Sequence, residues 1–189
     1  MIKKIMALLV GLLVFANVAF AMSGYVEVQT INGVRIGMSA DEVVAKWGEP
    51  IKTDMIGYVM GNPTYRFYFN PGGLEAGFFT WSFSGKVNDP YLSTVTAINN
   101  PQIVLQPSGV GIGATTEEVI RRLGNPDKKT YIGYDFEKDT GPIYCYKYVT
   151  PEYTNFSGRT GSETVEVYVD EKTNRVTKIQ LGGTFAHRK

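Results

Sequence analysis

Gly33-Val-Arg-Ile-Gly-Met-Ser-Ala-Asp-Glu-Val-Val-Ala-Lys-Trp-Gly-Glu-Pro50 decides the fold, because it returns 76 positions on as Gly109-Val-Gly-Ile-Gly-Ala-Thr-Thr-Glu-Glu-Val-Ile-Arg-Arg-Leu-Gly-Asn-Pro126. In the first copy Ser39 reads as an N-cap. Asp41 and Glu42 stand in the first turn, where carboxylates favour the unpaired N–H groups and the positive end of the helix dipole. Met38, Val43, Val44 and Trp47 fall on one face, Gly48 stops the helix and Pro50 forbids its continuation. The second copy repeats each device, with Thr115 or Thr116 as cap, Glu117 and Glu118 behind it, Val119, Ile120 and Leu123 as the stripe, then Gly124 and Pro126. A helix of two to three turns is marginal alone and must dock on something.

The likeness runs on at the same offset. Ile56-Gly57-Tyr58 answers Ile132-Gly133-Tyr134, and Phe67-Tyr68-Phe69 answers Ile143-Tyr144-Cys145. Further on, Val95-Thr96-Ala97-Ile98 answers Val176-Thr177-Lys178-Ile179 at 81 positions, which places five extra residues in a loop around Glu152 to Gly161. Matches at a fixed spacing indicate duplication of a folding unit. After each helix, short Tyr-, Phe-, Val-, Ile- and Thr-rich runs between Gly, Pro and Asn turns predict strands over 52–59, 64–70, 77–84 and 93–98, then 128–135, 142–149, 163–169 and 175–181. The expectation is therefore an α+β fold. It consists of two tandem modules, 22–100 and 101–189, each a short helix packed on an antiparallel meander of about four strands, together forming a concave sheet surface. The linker from Gln102 to Ser108 carries Ile103, Val104 and Leu105 and is expected to be packed.

Residues 1–21 read as a secretory signal peptide: Lys3 and Lys4, an apolar run from Ile5 to Phe20, and an Ala19-Phe20-Ala21 cleavage site. Cleavage after Ala21 sends the chain to the periplasm or the medium, and no Cys follows the cut to carry a lipid anchor. Loss of Lys3 and Lys4 leaves 17 basic against 18 acidic side chains, a balance that makes no electrostatic case for nucleic acid or an anionic membrane. Cys145 is the one cysteine, so no intramolecular disulfide forms, and its match to Phe69 predicts a buried, inert thiol.

Alternation assigns the faces of the sheet. Phe67 and Phe69, with Ile143 and Cys145, are expected to point to the helix, as are Phe79, Trp81 and Phe83 with Val165, Val167 and Val169. The free face then carries Arg66, Tyr68, Phe78, Thr80 and Ser82, and in the second module Tyr144, Tyr146, Tyr148, Glu166, Tyr168, Lys178 and Gln180. Tyrosine offers large, stiff, amphipathic contact area, so Arg66, Tyr68, Phe78, Tyr144, Tyr146, Tyr148 and Tyr168 are the expected contacts to a partner.

The two openings resemble the β-lactamase inhibitory protein family and the SmpA/OmlA (BamE-like) outer-membrane assembly module. The resemblance rests on Ile36-Gly37-Met38-Ser39 with Glu42-Val43 and Gly48, then Ile112-Gly113-Ala114-Thr115 with Glu118-Val119 and Gly124. It covers most of 31 to 181 and implies helix-plus-sheet modules side by side with a concave sheet that grips a partner protein. The chain departs from the inhibitors in having no disulfide in either module and no matching cleft-entering loop residues. It departs from the lipidated assembly factors in lacking their modified cysteine.

No catalytic, cofactor-binding or metal-binding set is read. His187 is the third residue from the carboxyl end and is expected to be a poor general base or ligand. The pairs Asp41/Glu42 and Glu117/Glu118 are explained as helix starts. Asp135, Glu137 and Asp139 alternate near a turn without the EF-hand pattern, and the glycines match neither Rossmann nor P-loop spacing. The expected function is an exported non-enzymatic binding protein whose partner is another extracytoplasmic protein. The alternatives are an envelope assembly or scaffold component and, more remotely, a wall or glycan hydrolase with two convergent carboxylates.

Overall fold

Ser39 and Thr115 each begin a helix by the same reciprocal device. In a computed structural model of the chain, which describes residues 26–59, 62–69, 72–79, 91–134, 141–154 and 160–185, the backbone N–H of Glu42 donates to the Ser39 hydroxyl while the Ser39 N–H donates to the Glu42 carboxylate. Thr115 and Glu118 do likewise. These capping boxes start α1 (Ala40–Trp47) and α2 (Thr116–Leu123), and Gly48 and Gly124, both at positive φ, end them. Each cap is worth about 1 kcal/mol. Helix docking supplies the rest through Val43, Val119 and Leu123, which are buried.

The described residues also form eleven strands: β1 (Thr30–Ile31), β2 (Lys52–Val59), β3 (Asn62–Phe69), β4 (Leu74–Phe79), β5 (Tyr91–Ile98), β6 (Leu105–Gln106), β7 (Lys128–Tyr134), β8 (Pro142–Val149), β9 (Tyr153–Thr154), β10 (Thr160–Asp170) and β11 (Arg175–Phe185). The α+β expectation of two four-stranded modules is corrected. The described chain is mostly β, with two eight-residue helices against one antiparallel nine-stranded sheet in the order β2-β3-β4-β5-β11-β10-β8-β7, β9 pairing with β10. Two features join what was read as two sheets. β5 pairs with β11 over five residues, and β1 pairs with β6 in a separate two-stranded ribbon. Both short ribbon strands, and β9, fall outside the runs expected from sequence; β6 lies within the linker, where Ile103 and Leu105 are fully buried.

Registers relate the two repeats. Lys52 pairs with Tyr68, Tyr68 with Glu75, and Glu75 with Thr96; Lys128 pairs with Lys147, Lys147 with Glu166, and Glu166 with Gln180. Thr96 then pairs with Gln180 itself. The repeats are thus related by a pseudo-two-fold axis through the Thr96–Gln180 pair, and Thr30–Gln106, also equivalent residues, pair on the ribbon. The same irregularities recur at equivalent places: a bulge between Met55 and Gly57 and between Tyr131 and Gly133, and another between Gly77 and Phe78 and between Tyr168 and Val169.

One core lies between the helices with the ribbon and one face of the sheet. It holds Ile31, Val34, Ile36, Ile103, Leu105 and Val110 from the covering layer, and Phe69, Leu74, Ala97, Ile179, Val167 and Tyr146 as a row across the sheet.

Candidate functional site

The sheet has a helix side and an outer side, and no described element packs on the outer side. Its central row runs across eight strands as Lys52, Tyr68, Glu75, Thr96, Gln180, Glu166, Lys147 and Lys128. On one flank lies Arg66, Gly77, Thr94, Gly182 and Thr164. On the other, Lys178 pairs with Tyr168, and Tyr168 with Cys145.

Polar side chains on this face engage one another. Lys147 Nζ stands 3.2 Å from Glu166, and Arg66 lies 3.8 Å from Glu75. The Tyr168 hydroxyl donates to Glu166 at 3.0 Å, and Lys178 Nζ sits 4.5 Å above the Tyr168 ring. Lys52 Nζ lies 2.6 Å from Asp54 and 5.2 Å from the Tyr68 ring centre. Burial, then the hydrogen bond and charge of Glu166, push the Tyr168 hydroxyl above its ordinary range. Pairs of this kind are individually weak, and they make this a mixed-charge surface.

Of the seven expected contact residues, three are on this face: Arg66, Tyr68 and Tyr168. Tyr144, Tyr146 and Tyr148 are on the helix side, because they pair directly with Val169, Val167 and Val165. Tyr146 and Tyr148 are buried, and the Tyr148 hydroxyl donates to the Gly124 carbonyl at 3.3 Å. That placement corrects the free-face assignment of the tyrosine row. The cause is parity. Lys52 and Lys128 are 76 apart, but their partners Tyr68 and Lys147 are 79 apart. Three extra residues enter between β7 and β8, and an odd insertion turns a strand's alternation over. Phe67-Tyr68-Phe69 therefore corresponds to Tyr146-Lys147-Tyr148. Cys145, expected to face the helix, is buried on the outer side opposite Tyr168, its thiol pushed up chiefly by burial. Phe78 pairs through its backbone with Tyr65, the helix-side register, and its side chain lies outside the described residues. Thr80, Trp81, Ser82 and Phe83 are outside them too.

Tyr144 and Tyr146 instead wall a niche of about 310 Å³ on the helix side, beside the start of α2, with Lys129, Glu117 and Asn174. Lys129 Nζ lies 4.2 Å from the Tyr144 ring centre and 5.2 Å from that of Tyr146. The hydrogen bond to Tyr146 raises the Lys129 ammonium above its usual range. Asn174 accepts from the Thr116 N–H and donates to Glu117, so this helix start is already satisfied by the chain.

Among the described residues no three of His, Cys, Asp and Glu gather as a metal set, and no helix is long and apolar enough to cross a membrane. Asp135, Glu137, Asp139, His187 and the 1–21 segment lie outside the described residues. Sequence reading missed Lys52, Glu75, Thr96, Lys147 and Lys128 as members of the outer row. For Lys147 the signal is Pro63 and Pro142, which pair with Tyr58 and Tyr134 and carry the 79-residue offset. No protein-family model, no curated protein and no solved structure matches the chain.

Proposed function

We propose that the chain is an exported, non-enzymatic binding protein that meets another extracytoplasmic protein through the outer face of its sheet. One observation carries the reading: a surface crossing eight strands, with Tyr68 and Tyr168 among paired charges, is left open by every described element. Neighbouring strands stand about 4.8 Å apart, so the row from Lys52 to Lys128 extends over roughly 34 Å, the breadth of an ordinary protein interface. Among the described residues of this face, Glu75 lies beside Arg66 and Glu166 beside Lys147, so the surface offers a partner both signs of charge. Arg66, Tyr68 and Tyr168 are the residues of greatest contact value, by side-chain type and position.

The test is site-specific photocrosslinking in intact cells. A photoreactive residue replaces Tyr68, Thr96 or Gln180 on the outer face, with Ile120 on the exposed side of α2 as control. An adduct of one defined mass from all three outer positions, absent at Ile120 and lost in Arg66→Ala with Tyr168→Ala, supports the reading. Adducts from Ile120 alone overturn it.

A further inference from the structure

Glu163 is a fully buried carboxylic acid in the helix-side layer of β10, among the alternating Val165, Val167 and Val169. It faces Gly183 across β11, so no side chain stands opposite it there. Along the other edge of β10 the chain of β8 continues past Val149: the Thr150 N–H donates to the Glu163 carbonyl at 2.9 Å, and the Glu163 N–H donates to the Thr150 hydroxyl at 2.8 Å. Two residues on β10, from Glu163 to Gly161, are then matched by three on the other strand, from Thr150 to Tyr153. The extra residue at Pro151–Glu152 acts as a bulge and returns Tyr153 to the face that Glu163 occupies. There the Tyr153 hydroxyl donates to Glu163 Oε1, while Oε2 has no hydrogen-bond partner.

We propose that this contact is a proton-operated latch on the arm formed by β9 and the start of β10, closed when Glu163 is protonated and released when it ionises. The arm is tied more lightly than the β10 strand from Val165 onward. β9 is two residues long and is tied to β10 by two register pairs, Thr154 with Thr160 and Tyr153 with Gly161. The bulge supplies a hinge. Opening it admits water to Glu163, whereas the strands from Val165 onward are locked by β8 and β11 on both sides.

The driving force is desolvation. A neutral acid accepting one hydrogen bond is tolerable in such a place, but a carboxylate there has one hydroxyl donor and is shut off from bulk solvent, a state that costs several kcal/mol unless the chain moves. Burial pushes the Glu163 carboxyl up to about 7, against the opposing hydrogen bond from Tyr153 and the charge of Arg35. Among the described residues, Tyr153 from β9 and Arg35 from the segment between β1 and α1 act on the carboxyl, and the Thr150 hydroxyl accepts from its backbone N–H. The mutual hydrogen bonding also raises the Tyr153 hydroxyl, after burial, so it remains a donor across this range. Local opening of this kind is a lower-energy event than global unfolding and is read separately from it.

The experiment is residue-resolved amide exchange on the full chain at pH 5.5, 7.0 and 8.5, corrected for intrinsic rates, following the mutually bonded Thr150 and Glu163 amides with Val167 as reference. The latch predicts that protection at Thr150 and Glu163 falls at least about tenfold from pH 5.5 to 8.5 while Val167 changes less than about twofold. In Glu163→Gln protection at both sites becomes independent of pH. Carbon-13 titration of the Glu163 carboxyl in the unmodified chain gives a second reading that needs no variant. A midpoint near 4.5, or unchanged protection across the range, or the same fall in Glu163→Gln, overturns the proposal.

Discussion

Phe69 and Tyr148 fill the same place in the two repeats, each beneath the C-terminal end of its helix. The Phe69 ring meets Trp47 edge-on at 5.2 Å, and the Tyr148 hydroxyl reaches the Gly124 carbonyl. Both are about 1% exposed. Phe69→Ala and Tyr148→Ala should each cost roughly 3–5 kcal/mol, the range for removing a large core ring. Tyr148→Phe loses only the hydroxyl's bond and should cost about 1 kcal/mol. Tyr68→Ala, one residue from Phe69 but on the outer face, should stay within about 1 kcal/mol. Urea denaturation decides: equal midpoints for Tyr148→Ala and Tyr68→Ala would mean the faces are misassigned.

The repeat, both helices and most strands were legible because their signals are local. Ser39 with Glu42 and Gly48, and Thr115 with Glu118 and Gly124, specify start and stop within ten residues, and the structure ends both helices there. What was hidden is whatever depends on counting through a loop. Offsets of 76 at Lys52, 79 at Tyr68, 91 at Glu75 and 84 at Thr96 show residues gained and lost between strands. The single five-residue adjustment near Glu152, which set Val95–Ile98 against Val176–Ile179 at 81 positions, does not reproduce these changes, since Thr96 corresponds to Gln180. A three-residue change leaves a Tyr-rich strand looking much the same and exchanges its two faces. Pairing of β5 with β11 was equally invisible, since nothing in Val95–Ile98 or Lys178–Gly182 names a partner strand.

Gly73 is where a methyl group is least welcome. Its φ is +98°, and an added Cβ would stand 2.1 Å from the Ile98 carbonyl oxygen, part of the backbone that closes the turn by donating the Ile98 N–H to Gly73 O at 2.9 Å. Gly48 also has positive φ, +81°, but open space around its missing Cβ. Gly48→Ala should cost about 1 kcal/mol of backbone strain and Gly73→Ala at least roughly twice that, because strain and clash combine. Thermal unfolding of the two variants side by side tests the order.

Both sheet edges carry apolar residues in the open. β2 presents Met55, Ile56 and Tyr58, and β7 presents Tyr131 and Ile132, all about half exposed or more. Edge strands with free backbone groups and such side chains invite pairing with another chain, and the bulges at Gly57 and Gly133 blunt this only locally. Ile56→Lys combined with Ile132→Lys should leave the urea midpoint within about 0.5 kcal/mol of the parent and lower concentration-dependent self-association. Light scattering across a dilution series measures it; unchanged scattering would show that the edges are not where copies meet.

Glu163 gives stability a definite pH slope. Burial pushes its carboxyl up to about 7 in the fold, against an ordinary value of 4.5 for an exposed glutamate in the unfolded chain. Between those values the folded chain holds a proton that the unfolded chain has lost, so the unfolded state binds fewer protons and stability falls as pH rises. The fall starts near 4.5, runs at up to about 1.4 kcal/mol per pH unit and levels off above about 7, with about 3 kcal/mol as its ceiling. Most paired carboxylates have depressed values and act in the opposite direction, so the sign is diagnostic. Glu163→Gln mimics the neutral acid, keeping an acceptor for Tyr153. It should match the parent near pH 5, exceed it by roughly 1–3 kcal/mol at pH 8 and show no slope between. Histidine side chains in general change charge within this range, so the comparison is made in a His187→Ala background, His187 being the chain's one histidine. Urea midpoints at pH 5, 6, 7 and 8 give the answer: a parent that is flat over this range, or a Gln variant that keeps the slope, would show that Glu163 is already ionised in the folded chain.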